Sequence, residues 1–313
     1  MQHNQITNHL LMIRPVNFRM NEQTAVNNFH QKSLANFSDD EIQAKALVEF
    51  NGLVEKLKLK GVNVIVVNDK GFLNTPDSIF PNNWISFHDN GDVGLYPMFA
   101  PNRRLERRED ILDILEDKGF IIEHVIDYSS AEIDEIFLEG TGSIVLDREN
   151  QNAYCALSPL SEEELFIEFC EDFDYNPIVF SAYQTIDEKR TLIYHTDVML
   201  TIGKTFAIAC LDSIDDSKER KNIIQHLKES GKEIISITEK QVSQFAGNML
   251  QVKGENNKSY IVMSESAYKS LTNQQLNQIE KHSEIIFSDV STIETCGGGS
   301  VRSMLAEIFL PKA

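Results

Sequence analysis

The sequence predicts an α/β protein built from repeated units, each with about three strands and one helix. Twelve strand-like runs alternate with helix-like runs, so strands outnumber helices too strongly for a doubly wound sheet. The first five predicted helices begin at intervals of about 54 to 65 residues, and such regularity is typical of internal repeats. The sequence also lacks a GxGxxG or P-loop motif, which further disfavours a nucleotide-binding sheet.

Helix starts are predicted from capping residues and from apolar residues at helical spacing. Ser38 with Glu41, and Ser161 with Glu164, have the spacing of a capping box. The five starts lie near Ser38, Arg103, Ser161, Asp215 and Thr272. A last helix is predicted near the end of the sequence, where an apolar stripe is formed by Val301, Met304, Leu305 and Ile308.

Length and composition exclude several classes of protein. The chain has 313 residues and a mass of 35.6 kDa, and 42% of its residues are apolar, too many for a disordered chain. Its 29 basic and 48 acidic residues give a net charge of −19, which disfavours nucleic acid as a partner. No apolar run is long enough for a membrane span, and residues 1–15 lack the pattern of a signal peptide. We therefore expect a cytoplasmic protein with no membrane partner and a single domain over residues 1–313.

The four cysteines divide into two groups. Cys155, Cys170 and Cys210 lie in apolar strand-like or helix-like stretches, which favours a role as small core residues. Cys296 instead precedes three glycines, and a glycine-rich loop is a poor place to bury a thiol. No CxxC pair is present, so zinc and dithiol redox sites are disfavoured.

Polar segments recur in phase with the repeat. They are centred on Asn83, Glu139, His195, Asn248 and Cys296, at intervals of 56, 56, 53 and 48 residues. Equivalent loops of a radial repeat converge on its central axis, so these distant residues are expected to meet in one pocket. A cysteine, a histidine and an acid in one pocket are the parts of nucleophilic catalysis.

Six motifs, in this order and at this spacing, resemble the pentein superfamily of guanidine-modifying enzymes. They are PDSIFPNNW (76–84), APNRRLERRE (100–109), LEGTGS (138–143), HTD (195–197), FAGN (245–248) and TCGGGS (295–300). The resemblance covers nearly the whole chain and is strongest to the citrulline hydrolase (citrulline ureidase) branch. It implies a five-bladed, pseudo-fivefold α/β propeller of ββαβ repeats, the pentein fold.

The resemblance also implies roles for individual residues. Cys296 matches the nucleophile that attacks the central carbon of a guanidino or ureido group. His195 matches the general acid and base, and Glu139 the acid that orients substrate or histidine. The positions that match substrate-binding residues are Asp197, Asp77, Arg103 and, in the PDSIFPNNW motif, Asn82 and Asn83. No metal or other cofactor is expected.

Two departures from the family pattern bear on the substrate. Arginine-processing relatives carry an aspartate at the place of Asn83, and here Asn82 and Asn83 are both neutral amides. An amide both donates and accepts hydrogen bonds, which suits a neutral ureido group better than a guanidinium cation. Relatives often place a carboxylate-binding arginine where this chain has Leu160. We therefore predict hydrolysis of citrulline to ornithine, ammonia and carbon dioxide, with the mode of carboxylate binding left open.

Three alternatives remain at this level. The first is an amidinotransferase, which uses the same residues but passes the group to an amine. The second is an arginine deiminase or dimethylarginine hydrolase, and the third is a non-catalytic binding protein with the same fold. In each enzymatic case the expected ligand is a small ureido or guanidino amino acid. The sequence is compatible with a homodimer but does not establish the oligomeric state.

Overall fold

The computed structural model describes residues 3–313, and within them the predicted ββαβ unit occurs five times. In each unit the first strand pairs antiparallel with the second, which pairs parallel with the third. The strands are β1 (His9–Arg14), β2 (Asn63–Asn68), β3 (Ile85–Phe87), β4 (Asp92–Leu95), β5 (His124–Asp127), β6 (Ile144–Asp147), β7 (Asn152–Ala156), β8 (Asn176–Phe180), β9 (Tyr183–Ile186), β10 (Lys189–Leu192), β11 (Leu200–Ile202), β12 (Phe206–Ala209), β13 (Glu233–Ser236), β14 (Leu250–Lys253), β15 (Ser259–Ser264), β16 (Glu284–Ser288) and β17 (Ala306–Glu307).

The five sheets have the strand orders β17-β1-β2, β3-β4-β5, β6-β7-β8, β11-β12-β13 and β14-β15-β16. The remaining strands, β9 and β10, form a separate hairpin. One sheet joins the two ends of the described chain, because β17 pairs antiparallel with β1 through Leu10 opposite Glu307 and Leu11 opposite Ala306. The predicted repeat of strands and helices is therefore confirmed.

The helices connect the second and third strands of the units and pack on the outside of the sheets. They are α1 (Asp39–Leu59), α2 (Asp110–Asp117), α3 (Gly140–Ser143), α4 (Glu163–Asp172), α5 (Ser217–Glu229), α6 (Glu239–Val242), α7 (Glu265–Ser270), α8 (Asn273–Glu280) and α9 (Ser291–Gly297). The short α3, α6 and α9 lie outside these connections. The capping box of Ser38 and Glu41 is present at the start of α1, where each residue's side chain bonds the other's backbone N–H.

Three sequence-based helix predictions need correction. Ser161 does not cap α4, which begins after Glu162, and Arg103 opens a 3₁₀ turn seven residues before α2. The predicted last helix is instead a 3₁₀ turn, Arg302–Met304, followed by β17. Its apolar residues Val301, Met304, Leu305 and Ile308 are buried in the turn and at the positions beside β17, which pairs with the edge of β1.

The first strands of the units lie next to one another around a common centre. Strand β17 contacts β3, and β11 contacts both β6 and β14. Each first strand is preceded by a short segment, and several of these segments touch: the turn Pro81–Asn83 contacts both α3 and the turn Arg302–Met304. This geometry gathers polar side chains from separate units at one end of the centre. None of the helices in the described part of the chain combines the length and apolar character needed to cross a membrane.

Candidate active site

A pocket lies where the segments that precede the first strands meet. Its polar lining includes Asp77, Asn83, Arg103, Glu139, His195 and Ser303, and its apolar lining includes Phe80, Phe99 and Leu160. Thr24, Asn27 and Asn28 complete the wall from the segment before α1.

His195 and Glu139 form a buried pair in this pocket. Glu139 Oε2 lies 2.8 Å from His195 Nε2, and its other oxygen accepts a hydrogen bond of 3.0 Å from the backbone N–H of Phe99. Burial alone would raise the pKa of Glu139, but the hydrogen bond and charge of His195, together with Arg103, lower it. The carboxylate therefore stays ionised and fixes the imidazole, which leaves Nδ1 for proton transfer.

Asn83 is oriented by Arg103. The Nη1 of Arg103 donates a 2.9 Å hydrogen bond to Asn83 Oδ1, while Nε and Nη2 are bound by Glu106. Because a guanidinium has donors only, this contact fixes which end of the amide is oxygen. Asn83 Nδ2 is buried and has no hydrogen-bond partner among residues 3–313. The side chain therefore presents an unpaired donor.

The same donor lies close to the imidazole of His195. A Cβ atom added to Gly142 would overlap Asn83 Nδ2 and would lie 2.9 Å from His195 Nδ1. Only glycine at this position lets the two side chains approach from either side. The free amide donor and the free imidazole nitrogen are thus neighbours.

Asn82 and Asp197 lie one layer behind the pocket lining. Asn82 Nδ2 donates a 3.2 Å hydrogen bond to Asp197 Oδ2, and Asn248 Nδ2 donates to the backbone oxygen of Asp197 at 3.3 Å. Burial raises the pKa of Asp197, an effect that His195 and Arg302 only partly oppose. The structure thus places Asp197 beside the site, without placing it in the wall of the unliganded pocket.

Asp77 lies in the wall of the pocket with one oxygen free. Its Oδ2 accepts hydrogen bonds from Asn21 Nδ2 at 2.7 Å and from Thr24 Oγ1 at 3.0 Å. Its Oδ1 is buried without a partner among the described residues. Burial raises the pKa of Asp77, although Arg103 opposes this. An N–H group of a ligand would satisfy the free oxygen.

Cys296 is the predicted nucleophile, and the structure does not bring it to the pocket. Its side chain is fully buried in an apolar cluster with residues of α1, and burial raises the pKa of its thiol. The neighbouring Gly297 and Gly299 do line the pocket, so α9 turns the thiol to the opposite side. In this structure a thiol that faces the core is not placed to reach a substrate bound in the pocket.

Sequence reasoning missed Ser303 and the wall formed by Thr24, Asn27 and Asn28. The apolar stripe predicts a helix over Ser303, yet Ser303 lies 55 residues after Asn248, an interval that matches the repeat better than that of Cys296. That interval is the signal that identifies it. The segment of residues 15–37 carries no repeat signal, because it is a loop between β1 and α1 that has no counterpart of this length in the other units. Within residues 3–313, the His, Cys, Asp and Glu side chains form no group that could hold a metal ion.

Comparisons with known proteins agree with this architecture. The model of the eukaryotic N,N dimethylarginine dimethylhydrolase family matches residues 14–310. A comparison with curated protein sequences gives no match. The structure is similar to the N-terminal domain of ArgZ, a cyanobacterial arginine dihydrolase solved with substrate, with a TM-score of 0.69, 18% identity, and coverage of 96% of this chain and 99% of that chain.

Two further solved structures are similar. AgrE in a binary complex with L-arginine has a TM-score of 0.70 and 18% identity, over 97% of this chain and 40% of that chain. A dimethylarginine dimethylaminohydrolase adduct with S-methyl-L-thiocitrulline has a TM-score of 0.65 and 15% identity, over 97% and 100% of the two chains. These likenesses confirm the predicted pentein fold.

Proposed function

Because the chain belongs to the N,N dimethylarginine dimethylhydrolase family, within the pentein group of guanidino-modifying enzymes, we propose that it is a C–N hydrolase specialised for a ureido group. The substrate in this proposal is citrulline or a close analogue, and the products are ornithine, ammonia and carbon dioxide. Residues 1–313 act as one catalytic domain.

One observation carries the choice of a ureido group: the unpaired donor of Asn83. A ureido group has a carbonyl oxygen that accepts a hydrogen bond, whereas a guanidinium has donors only. With arginine as the ligand, Asn83 Nδ2 would meet another hydrogen-bond donor and would stay unpaired. With citrulline, the same donor pairs with the ureido oxygen and stabilises the negative charge that develops on it during attack.

The other side chains fit the remaining atoms of a ureido amino acid. The free oxygen of Asp77 is an acceptor for N–H groups, and Asp197 supplies a second acid beside the site. Leu160 lines the pocket where relatives carry an arginine, so it can contact the aliphatic part of the substrate but cannot bind its carboxylate. The unpaired Nδ2 of Asn27, also in the wall, is a donor that suits the carboxylate.

His195 transfers protons in this proposal. Its Nδ1 takes the proton of the attacking nucleophile, returns it to the departing nitrogen, and then deprotonates water. The ionised Glu139 holds Nε2 and stabilises the imidazolium that forms in between. Positioning of the reactants accounts for much of the rate in a site of this kind.

A second candidate function is hydrolysis of a methylated arginine, which the family match itself favours. The unpaired donor of Asn83 argues against it, because a substituted guanidinium has no acceptor for that donor.

A substrate panel distinguishes these functions. The purified protein is incubated with citrulline, arginine, methylated arginines and agmatine, and ammonia, ornithine and citrulline are measured separately. We expect ornithine and ammonia from citrulline as the fastest reaction. Faster turnover of arginine or a methylated arginine would overturn the proposal. A new guanidino or ureido product formed when glycine is added would indicate transfer to an amine instead of hydrolysis.

A further inference from the structure

Ser303 lies just before the first strand of its unit, and residues of the site occupy the equivalent position in other units. Asn83 precedes β3 by two residues, Asn248 precedes β14 by two, Asp197 precedes β11 by three, and Ser303 precedes β17 by three. The turns that hold Asn83 and Ser303 are in contact. The repeat therefore delivers Ser303, and not Cys296, to the centre where the site residues meet.

The hydroxyl of Ser303 is held in a way that suits a nucleophile. It lines the pocket that also contains His195, and its Oγ accepts a 3.3 Å hydrogen bond from Asn248 Nδ2. An oxygen that accepts from Asn248 must direct its own proton elsewhere, which leaves it available for a base. Asn248 also binds the backbone oxygen of Asp197, so its amide is fixed from two sides.

The other hydroxyls in the wall are already used. Thr24 Oγ1 bonds Asp77 at 3.0 Å and the backbone oxygen of Asn21 at 3.2 Å. Tyr194 Oη donates a 2.8 Å bond to the backbone oxygen of Gly298, and burial raises the pKa of that phenol well above its usual value. The cysteines do not line the pocket in the described part of the chain.

We propose, resting on the proposed ureido hydrolysis, that Ser303 is the nucleophile and that this enzyme works through an oxygen ester in place of a thioester. Ser303 Oγ bonds the ureido carbon while its proton passes to His195 Nδ1. The bond from that carbon to the ornithine nitrogen breaks, the electron pair stays on nitrogen, and His195 returns the proton to it. A carbamoyl group remains on Ser303.

Water completes the cycle. His195 deprotonates a water molecule, which attacks the carbamoyl carbon, and the bond to Oγ breaks as Ser303 regains its proton. The released carbamic acid decomposes to ammonia and carbon dioxide. Since a carbamate ester is less reactive than its thioester counterpart, the second step is slow and the ester accumulates.

The test uses the full chain with four substitutions: Ser303→Ala, Ser303→Cys, Cys296→Ala and Cys296→Ser. Ornithine release from citrulline is measured, and calorimetry measures citrulline binding. We expect Ser303→Ala to bind citrulline but to lose at least about 99% of its turnover. Ser303→Cys should gain roughly tenfold or more, because a thiol is the stronger nucleophile near neutral pH. Both Cys296 variants should keep most of their activity.

Mass spectrometry provides a second measurement. Wild-type protein quenched during turnover should carry an added mass of about 43 Da on the peptide that contains Ser303, as a carbamoyl ester requires. Loss of activity in both Cys296 variants while Ser303→Ala stays active would overturn the assignment, as would a Ser303→Cys variant without any gain. If Ser303→Cys instead gains activity on arginine alone, the result would support Ser303 as the nucleophile and would contradict citrulline as the substrate.

Discussion

Asn82 and Asn83 are adjacent in one 3₁₀ turn and are both buried, yet their amides are used in opposite ways. Asn82 donates to the carboxylate of Asp197 and keeps an unpaired oxygen, whereas Asn83 accepts from the guanidinium of Arg103 and keeps an unpaired Nδ2. An anion fixes the first amide and a cation fixes the second. The charged partner of each amide therefore decides which hydrogen-bonding atom stays unpaired.

The difference matters because a ureido group presents both kinds of atom. Its oxygen needs a donor and its N–H groups need acceptors. A pair of aspartates would offer acceptors only, which suits a guanidinium. Of the two amides only Asn83 lines the pocket, where its Nδ2 is the unpaired donor, and the free oxygen of Asp77 is the acceptor in the same wall. In the proposed function, Arg103 contributes to recognition by fixing which atom of Asn83 stays free.

The largest effect should follow from Asn83→Asp. The substitution keeps the bond from Arg103 but replaces the free donor with an acceptor that repels the ureido oxygen. We expect kcat/KM for citrulline to fall by about 100-fold or more, the cost of losing a donor to a developing oxyanion. The kcat/KM for arginine should hold steady or rise. An unchanged ratio of the two substrates would show that Asn83 does not select between them.

A smaller effect should follow from Arg103→Lys. An ammonium group cannot hold Asn83, Glu106 and the backbone oxygen of Phe80 in one plane, so the amide of Asn83 is released. We expect a loss of roughly 10- to 30-fold in kcat/KM, mainly through kcat, because the donor of Asn83 stabilises charge that develops in the transition state. Arg107→Lys is the matched control, because Arg107 pairs with Glu132 outside the pocket. Equal losses in both variants would indicate that the substitutions disturb folding, and not specifically the orientation of Asn83.

The smallest predicted effect is a pH dependence of citrulline binding, which arises from Asp197, the hydrogen-bond partner of Asn82. Because burial raises the pKa of Asp197, this carboxylate takes up its proton at a higher pH than an ordinary aspartate as the solution is acidified. The lowered pKa of Glu139 keeps that group ionised over the same range. Citrulline binding to the Ser303→Ala variant should therefore weaken by about fivefold towards acid pH. Adding Asp197→Asn should weaken the pH dependence without abolishing it, because burial also raises the pKa of Asp77 in the pocket wall. A double variant with the original pH dependence would contradict this role.

The repeat was predictable from the sequence because helix starts and polar segments share one period. The sequence did not predict which residue of the last polar segment enters the pocket. Val301, Met304 and Leu305 fall on one face of a helix by spacing alone, but pairing with β1, almost three hundred residues away, makes the segment a turn and a strand. That distant pairing turns Ser303 to the pocket and leaves Cys296 in the core. The sequence also could not predict which atom of the Asn83 amide stays unpaired, because this depends on the hydrogen bond from Arg103.

The pairing of β17 with β1 also sets an order of events during synthesis. Strand β1 emerges from the ribosome early, but its antiparallel neighbour at Ala306–Glu307 is made only after the other four sheets have been completed. Until then one edge of β1 stays unpaired, which is a liability for aggregation in a nascent chain. The turn with Ser303 comes just before that last strand, so the growing polypeptide has no assembled pocket until the ring of sheets can be joined.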